Sequence, residues 1–267
     1  MSSKHHIYLI SDSTGETLDR IFLAIKAQFQ GFQYEDHQYS FTRTENQIKK
    51  ILELAEKQQH PIILYTIVDS ELANFLENNS KKLNIPCFGV LGKLIENFSQ
   101  IIKRTATHIP SAQYLLNDEY YKKVEAIQFT MDHDDGNSLD DIEKSDIILL
   151  GVSRTSKTPT AIYLANRGFK TTNIPLVNEK SIPDFLKKNP DKRCVIGLTL
   201  EPGRLAELRK NRMNSLKENQ SIDYTNQQKV ELEIQNAKKT FKKYQWPVVD
   251  VTRKSVEETA ASIIKIY

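Results

Sequence analysis

Cysteine is almost absent from this chain. The two present in 267 residues, Cys87 and Cys194, lie far apart and without metal-ligand spacing. That excludes a disulfide framework and points to a reducing, cytoplasmic setting. No apolar run approaches the length of a membrane span, so a spanning helix is excluded as well. The opening Met1-Ser2-Ser3-Lys4-His5-His6 has no apolar leader stretch, and secretion is not expected. An excess of either charge is missing too: 37 basic residues against 34 acidic ones leave a formal net charge of +3. So even a balance argues against a nucleic-acid partner. Repeats of solenoid period and low-complexity segments are absent. What remains, 39% hydrophobic and 27% charged, is ordinary for a globular chain long enough for two modest domains.

Strand and helix signals alternate along the first half. Ile7–Ile10 reads as a strand, followed by a helix with Leu18, Ile21, Phe22 and Ile25 on one face. His37–Thr42 is a second strand, and Ile48, Ile51, Leu52 and Ala55 mark the next helix. Pro61 opens Ile62–Val68, apolar enough for burial on both faces, and Asp69 or Ser70 caps a further helix before a short strand at Ile85–Val90. Asp118–Val124 reads as helix, whereas Ile127, Phe129 and Met131 alternate like a strand. The polar stretch Asp132–Ser138 is then a loop, and the domain junction is placed there. The expected architecture is α/β: an N-terminal, mainly parallel α/β domain over 1–137, then a P-loop kinase-like α/β domain over 138–267. Strands of the second are expected at Asp146–Leu150, Asn173–Val177, Cys194–Leu198 and Val248–Val251. A long charged helix before the last carries Val230, Ile234, Ala237 and Phe241 as its apolar stripe.

The second domain opens on the most informative segment. Ile147-Ile148-Leu149-Leu150 leads into Gly151-Val152-Ser153-Arg154-Thr155-Ser156-Lys157-Thr158 and then a helix with Pro159 in its first turn. A buried strand, a loop of small polar residues ending in Lys-Thr, and a helix make the layout of a phosphate cradle. Backbone N–H groups and the helix N-terminus face the phosphates, the lysine reaches the terminal ones, and the final hydroxyl binds Mg²⁺. Gly151–Thr158 are thus the nucleotide-binding candidates, with Lys157 catalytic and Thr158 the metal ligand. Ser156 stands where such loops carry their second glycine, a position whose conformation other residues enter at a cost.

Three further groups invite chemistry. Ser11-Asp12-Ser13-Thr14-Gly15-Glu16-Thr17 is a hydroxyl-rich strand-to-helix turn. It suits either a phosphate or substrate contact through Ser11, Ser13 and Thr14, with Asp12 binding a cation or positioning a hydroxyl, or a capping box between Ser13 and Glu16. His133-Asp134-Asp135-Gly136 offers two carboxylates for a general base or Mg²⁺, or simply an Asp-Gly turn. Arg204, Arg209 and Arg212 fall within one helical arc after Glu201-Pro202-Gly203, either converging on phosphate or forming a solvated basic face. Ser255 and Glu258 have the spacing of a capping box on a terminal helix, and Thr252 and Arg253 before it lie, by fold analogy, near a nucleotide base.

Taken together these motifs resemble one family, the pyruvate, phosphate dikinase regulatory proteins with the related phosphoenolpyruvate synthase regulatory proteins. The resemblance rests on Ile10–Thr17, His133–Gly136, Gly151–Pro159, Tyr163-Leu164-Ala165, Gly168, Asn173-Ile174-Pro175, Glu201–Leu205 and Lys254–Ala260, in order over nearly the whole chain. Ser156 is common in that family's loop. The resemblance implies a bifunctional enzyme that phosphorylates a threonine of the dikinase with ADP as donor. It also implies removal of that phosphoryl group by inorganic phosphate, releasing pyrophosphate. Lys157, Asp134, Asp135 and Arg204 are the expected catalytic residues, with Arg154, Arg209 and Arg212 as further walls of an anion pocket. The opening Ser-Thr-Gly-Glu-Thr looks more like the dikinase branch, and phosphoenolpyruvate synthase is the alternative target. A small-molecule P-loop kinase and a nucleotide-sensing module without chemistry are the rival readings, and a homodimer is compatible with the chain.

Overall fold

The computed structural model describes residues 4–114, 117–188, 190, 194–216 and 222–267. Met1–Ser3 of the polar lead-in and positions 217–221 of the charged stretch lie outside them. The chain forms two compact units, Met1–Leu115 and Leu116–Tyr267. The division comes before the 137/138 junction read from the sequence, because the segment after Asn117 folds onto the second sheet. Among the described residues no helix is long and apolar enough to cross a membrane.

The first unit runs β1 (His5–Ser11), α1 (Glu16–Lys26), β2 (Tyr34–Tyr39), α2 (Glu45–Glu56), β3 (Pro61–Thr66), α3 (Ser70–Lys82), β4 (Cys87–Gly89) and α4 (Gly92–Ile102). Its four strands are parallel in the order β2-β1-β3-β4. Central β1 and β3 place Tyr8, Ile10, Ile63 and Tyr65 against Ile48, Ile51 and Ala55 of α2. On the opposite face Ile7, Leu9 and Leu64 meet Leu18 and Phe22 of α1. Burial on both faces is what a parallel sheet between helices requires, and it explains why Ile62–Val68 reads as one apolar run.

The second unit begins with α5 (Asp118–Asp132) and continues β5 (Ile147–Gly151), α6 (Lys157–Ala165), β6 (Thr171–Pro175), α7 (Asp184–Lys188), β7 (Cys194–Thr199), α8 (Pro202–Leu216), α9 (Ile222–Thr225), α10 (Gln227–Lys243), β8 (Val248–Asp250) and α11 (Val256–Ile264). Its sheet is again parallel, ordered β6-β5-β7-β8. The chain leaves β5 to one side and returns on the other. The carboxyl ends of β5 and β7 therefore mark the topological switch point, where open α/β sheets bind ligands. All five residues of β5 are buried.

Three local readings are corrected. Ile127, Phe129 and Met131 are helical: Asn117 caps α5 by accepting the Tyr120 N–H at 3.0 Å, and Ala126 and Thr130, four apart, form its buried side. Met131 is exposed, so its alternation with Phe129 has no sheet face behind it. The Ser13–Glu16 capping box does not form. Gly15 takes a left-handed conformation (φ 90°) as the N-cap, α1 starts at Glu16, and the Ser13 hydroxyl pairs instead with Ser111 Oγ at 2.7 Å. Third, α4 is a helix the sequence reading passed over. The capping box at Ser255 and Glu258 does form, with Ser255 Oγ accepting the Glu258 N–H at 3.1 Å and Glu258 Oε2 the Ser255 N–H at 2.8 Å.

Candidate functional site

The loop from Gly151 to Thr158 leaves the end of β5 and becomes the first turn of α6. Gly151 is required by close packing: a Cβ there would lie 2.6 Å from Thr155 Oγ1 and 2.9 Å from the Leu198 carbonyl oxygen. Past it, Arg154 (φ 74°) and Ser156 (φ 58°) both take left-handed conformations. Two such residues, neither glycine, store strain of about 1–3 kcal/mol each, which persists only where the surroundings hold it. Ser156 therefore sits in the conformation that the missing glycine would have supplied freely. Replacing Ser156 with glycine is expected to raise stability by about 0.5–1 kcal/mol, read as a higher unfolding midpoint in urea. A lower midpoint would mean that the serine hydroxyl contributes more than its backbone costs.

The side chains of the loop divide by direction. Thr155 is fully buried and donates to the Val152 carbonyl at 3.0 Å, so it supports the loop from within. Ser153 Oγ is taken by the Tyr224 hydroxyl at 3.0 Å. Lys157 is 6% exposed, and its ammonium donates to the Val152 carbonyl at 3.1 Å. Burial pulls its pKa down to about 8, against the opposing pull of Asp135 and Asp134 and with smaller help from Arg154 and Arg209. A buried lysine whose pKa is drawn down toward neutrality is a functional-site signature with a physical cause.

Beside it lies a compact polar cluster. The Thr158 hydroxyl donates to Asp134 Oδ1 at 2.9 Å and accepts from Asn173 Nδ2 at 2.9 Å. Asn173 Nδ2 also donates to Asp134 Oδ1. Asn173 Oδ1 is buried with no partner among the described residues. Asp134 is placed by its neighbour: His133 is buried, stacks on Phe129, and sets Nδ1 2.7 Å from the Phe129 carbonyl and Nε2 2.6 Å from Asp141 Oδ1. Its own carbonyl accepts the Asn173 N–H at 3.2 Å. The His133 ring, then Lys144, hold the Asp141 carboxyl below the usual carboxylate range. Asp135 differs from Asp134: it is exposed, left-handed (φ 55°), and accepts no hydrogen bond from a described residue.

The three arginines of α8 do not converge. Arg204 is exposed, ion-paired to Glu207 at 2.5 Å, and lines a cavity of about 550 Å³ that reaches Ser156, Leu200, Thr252 and Arg253. Arg209 is buried and bound to Glu233 at 2.7 Å, while Arg212 is exposed. The Thr252 hydroxyl accepts the Glu201 N–H at 2.9 Å and so ties the two loops of that cavity together.

In the first unit Ser11, Asp12 and Ser13 are buried at the carboxyl end of β1. Ser11 Oγ accepts from Thr66 Oγ1 at 3.1 Å, and Asp12 Oδ2 accepts the Val68 N–H at 2.7 Å. Burial raises the Asp12 pKa despite that bond and the nearby Arg43. Thr14 Oγ1 is 3.2 Å from the Tyr114 hydroxyl. These contacts knit the turn to the segment 111–114 of its own unit.

Sequence reasoning missed Asn173 and Asp141 as site members, and Tyr224 and Glu233 behind the loop. Asn173 carried a signal, an amide in the middle of a buried parallel strand with no obvious partner. The others come from distant elements and show no local pattern.

Residues 7–264 match the family model described as kinase/pyrophosphorylase. A protein of Pelagibacter ubique named as a pyruvate, phosphate dikinase regulatory protein is 66% identical over 267 residues, covering 100% of this chain and 97% of that one. Proteins of the same name from Sphingopyxis alaskensis and Maricaulis maris are 44% and 42% identical, over 99% and 98% of this chain and 97% and 92% of their own.

Proposed function

The chain belongs to the kinase/pyrophosphorylase family, and from that premise we propose that it controls a pyruvate, phosphate dikinase by reversible phosphorylation of a threonine. The forward step takes the β-phosphoryl group of ADP to the threonine hydroxyl, leaving AMP. The reverse step takes the phosphoryl group from phosphothreonine to inorganic phosphate, leaving the free hydroxyl and pyrophosphate. The relatives' shared name carries the target, and the two unpaired cysteines suit a reducing cytoplasm.

The observation that carries this reading is the meeting of Lys157, Thr158 and Asp134 at the start of α6. Phosphoryl transfer demands positioning and charge neutralisation more than covalent help. In this scheme the loop amides and the α6 N-terminus receive the diphosphate, and Lys157 offsets charge on the phosphoryl group in flight. The nucleoside extends into the cavity bounded by Leu200, Arg204, Thr252 and Arg253. Asp135, exposed and without a hydrogen-bonded partner among the described residues, meets the incoming hydroxyl and takes its proton, returning it in the reverse step. Mg²⁺ fits the residues present: Thr158 and Asp134 offer oxygen ligands, and the orphaned Asn173 Oδ1 lies in the same cluster. Such an ion would screen the charge of the bound diphosphate.

The test is incubation with β-labelled ADP, Mg²⁺ and purified dikinase, including its phosphohistidine form. Label is expected on a dikinase threonine and is expected to leave as pyrophosphate when phosphate is added. No label, with an authentic regulator active in parallel, overturns the dikinase assignment, and transfer to phosphoenolpyruvate synthase would then name the other target.

A further inference from the structure

Behind the 151–158 loop lies an arginine whose position is expensive. Arg209 of α8 is 1% exposed. Its guanidinium meets Glu233 of α10 through both terminal nitrogens, Nη2 to Oε2 at 2.7 Å and Nη1 to Oε1 at 3.3 Å. Nη1 also donates to the Tyr224 carbonyl at 3.2 Å, and the group lies 4.5 Å from the centre of the Tyr224 ring. Nη2 donates to the Ser153 carbonyl at 3.4 Å, while the Tyr224 hydroxyl shares a hydrogen bond with Ser153 Oγ at 3.0 Å. One loop residue is thus held at both its main chain and its side chain. Nε of the same arginine is buried without a partner among the described residues.

Burying an arginine against a half-exposed Glu233 with one donor left orphaned is a poor way to gain stability; apolar residues of similar volume often do as well or better. What a forked, planar guanidinium supplies is geometry. In a trans peptide the C=O and the following N–H point in opposite directions. Fixing the Ser153 carbonyl on Arg209 therefore aims the Arg154 N–H away from α8, and that N–H donates to no described residue. Arg154 itself is left-handed (φ 74°), a state that relaxes unless its surroundings over-determine it.

We propose that Arg209, Glu233 and Tyr224 form a clamp that holds the loop in its strained shape and so presents the Arg154 amide to the phosphates of a nucleoside diphosphate. They are positioning residues, none of which touches the reacting atoms. The ligand half of the proposal rests on the nucleotide reading given above. Arg209, on this view, is no wall of an anion pocket; it acts through Ser153.

The test uses the full chain with Tyr224→Phe, Ser153→Ala and the double variant. Amide exchange over 151–158 in the ligand-free protein reads the clamp itself, and calorimetric ADP affinity reads its consequence. Tyr224→Phe removes one hydroxyl, and the expected result is faster exchange in that segment with the global unfolding midpoint unchanged. ADP affinity is expected to weaken about 3- to 10-fold, with KM for ADP rising more than kcat falls. Ser153→Ala should match it, and the double variant should be no worse than either single change, because both remove the same bond. Arg209→Lys, which keeps the charge and loses the fork, should not preserve affinity. Unchanged exchange over 151–158, or losses that multiply in the double variant, would overturn the clamp. Faster exchange in a protein whose wild type binds no ADP would leave the clamp standing and remove the nucleotide reading instead.

Discussion

Replacing Lys157 with methionine is expected to abolish both directions of phosphoryl transfer, by at least about 10³-fold, and at the same time to make the ligand-free protein harder to unfold. The two effects share a cause. The ammonium is buried and its one hydrogen-bond partner among the described residues is the Val152 carbonyl, so solvation is lost for little return. Its pKa falls from 10.5 to about 8, and the cost of charging it in the fold is at most about 3 kcal/mol. The folded protein releases this proton before the unfolded chain does. The penalty is therefore complete below about pH 8 and fades as pH climbs from there to about 10.5. Methionine, of similar length and without charge, escapes it, so the stability gain should be largest near pH 7 and shrink above pH 9. Ligand affinity must run the other way. A diphosphate needs the charged form, so wild-type ADP affinity should fall as pH rises through about 8, with proton uptake on binding. Calorimetry in two buffers of different ionisation enthalpy measures that uptake. A methionine variant that still transfers phosphate, or that unfolds at a lower temperature at pH 7, would sink the assignment of Lys157 to the phosphates.

The parts legible in the sequence were those in which local pattern and local chemistry coincide. β5 is apolar on both faces because it is central in a parallel sheet, and a lysine-threonine pair follows it at cradle spacing. Neither statement needs a distant residue. The pair Asp134 and Asp135 was visible as chemistry but not separable, since what distinguishes them is a backbone turn into left-handed φ at Asp135 and an amide arriving from β6. The strand reading of Ile127–Met131 failed because period-2 alternation over five residues is also compatible with a helix whose buried positions are Ala126 and Thr130. The Ser13–Glu16 box had the right spacing, yet Gly15 between them could adopt a conformation that starts the helix two residues later. Arg209 on its own looked like its two neighbours on α8. Only the tertiary placement of Glu233 and Tyr224 turns it inward.

Asp134→Asn is the second large effect, about 10³-fold in kcat for phosphorylation and phosphorolysis alike. The substitution is nearly isosteric, so the turn after His133 should persist: its anchors are the His133 ring between Phe129 and Asp141 and the backbone bond to Asn173, none of which uses the Asp134 carboxylate. What changes is the acceptor. Asp134 Oδ1 now receives both the Thr158 hydroxyl and the Asn173 amide, and a neutral side chain there removes the negative charge that would hold a divalent cation beside the helix start. A phosphoryl position shared by the two proposed reactions requires that both fall together, with the Mg²⁺ requirement shifted to higher concentration. Asp135→Asn separates the roles. It leaves the Thr158–Asp134–Asn173 cluster intact, so Mg²⁺ dependence should change little, while ADP affinity should begin to fall at a lower pH, because the Asp135 charge helps keep Lys157 protonated. Proton transfer to and from the threonine should slow by about 10²-fold. If Asp134→Asn spares phosphorolysis while stopping the kinase step, the two directions do not share one site. If Asp135→Asn shifts the Mg²⁺ requirement and Asp134→Asn does not, the two carboxylates exchange roles.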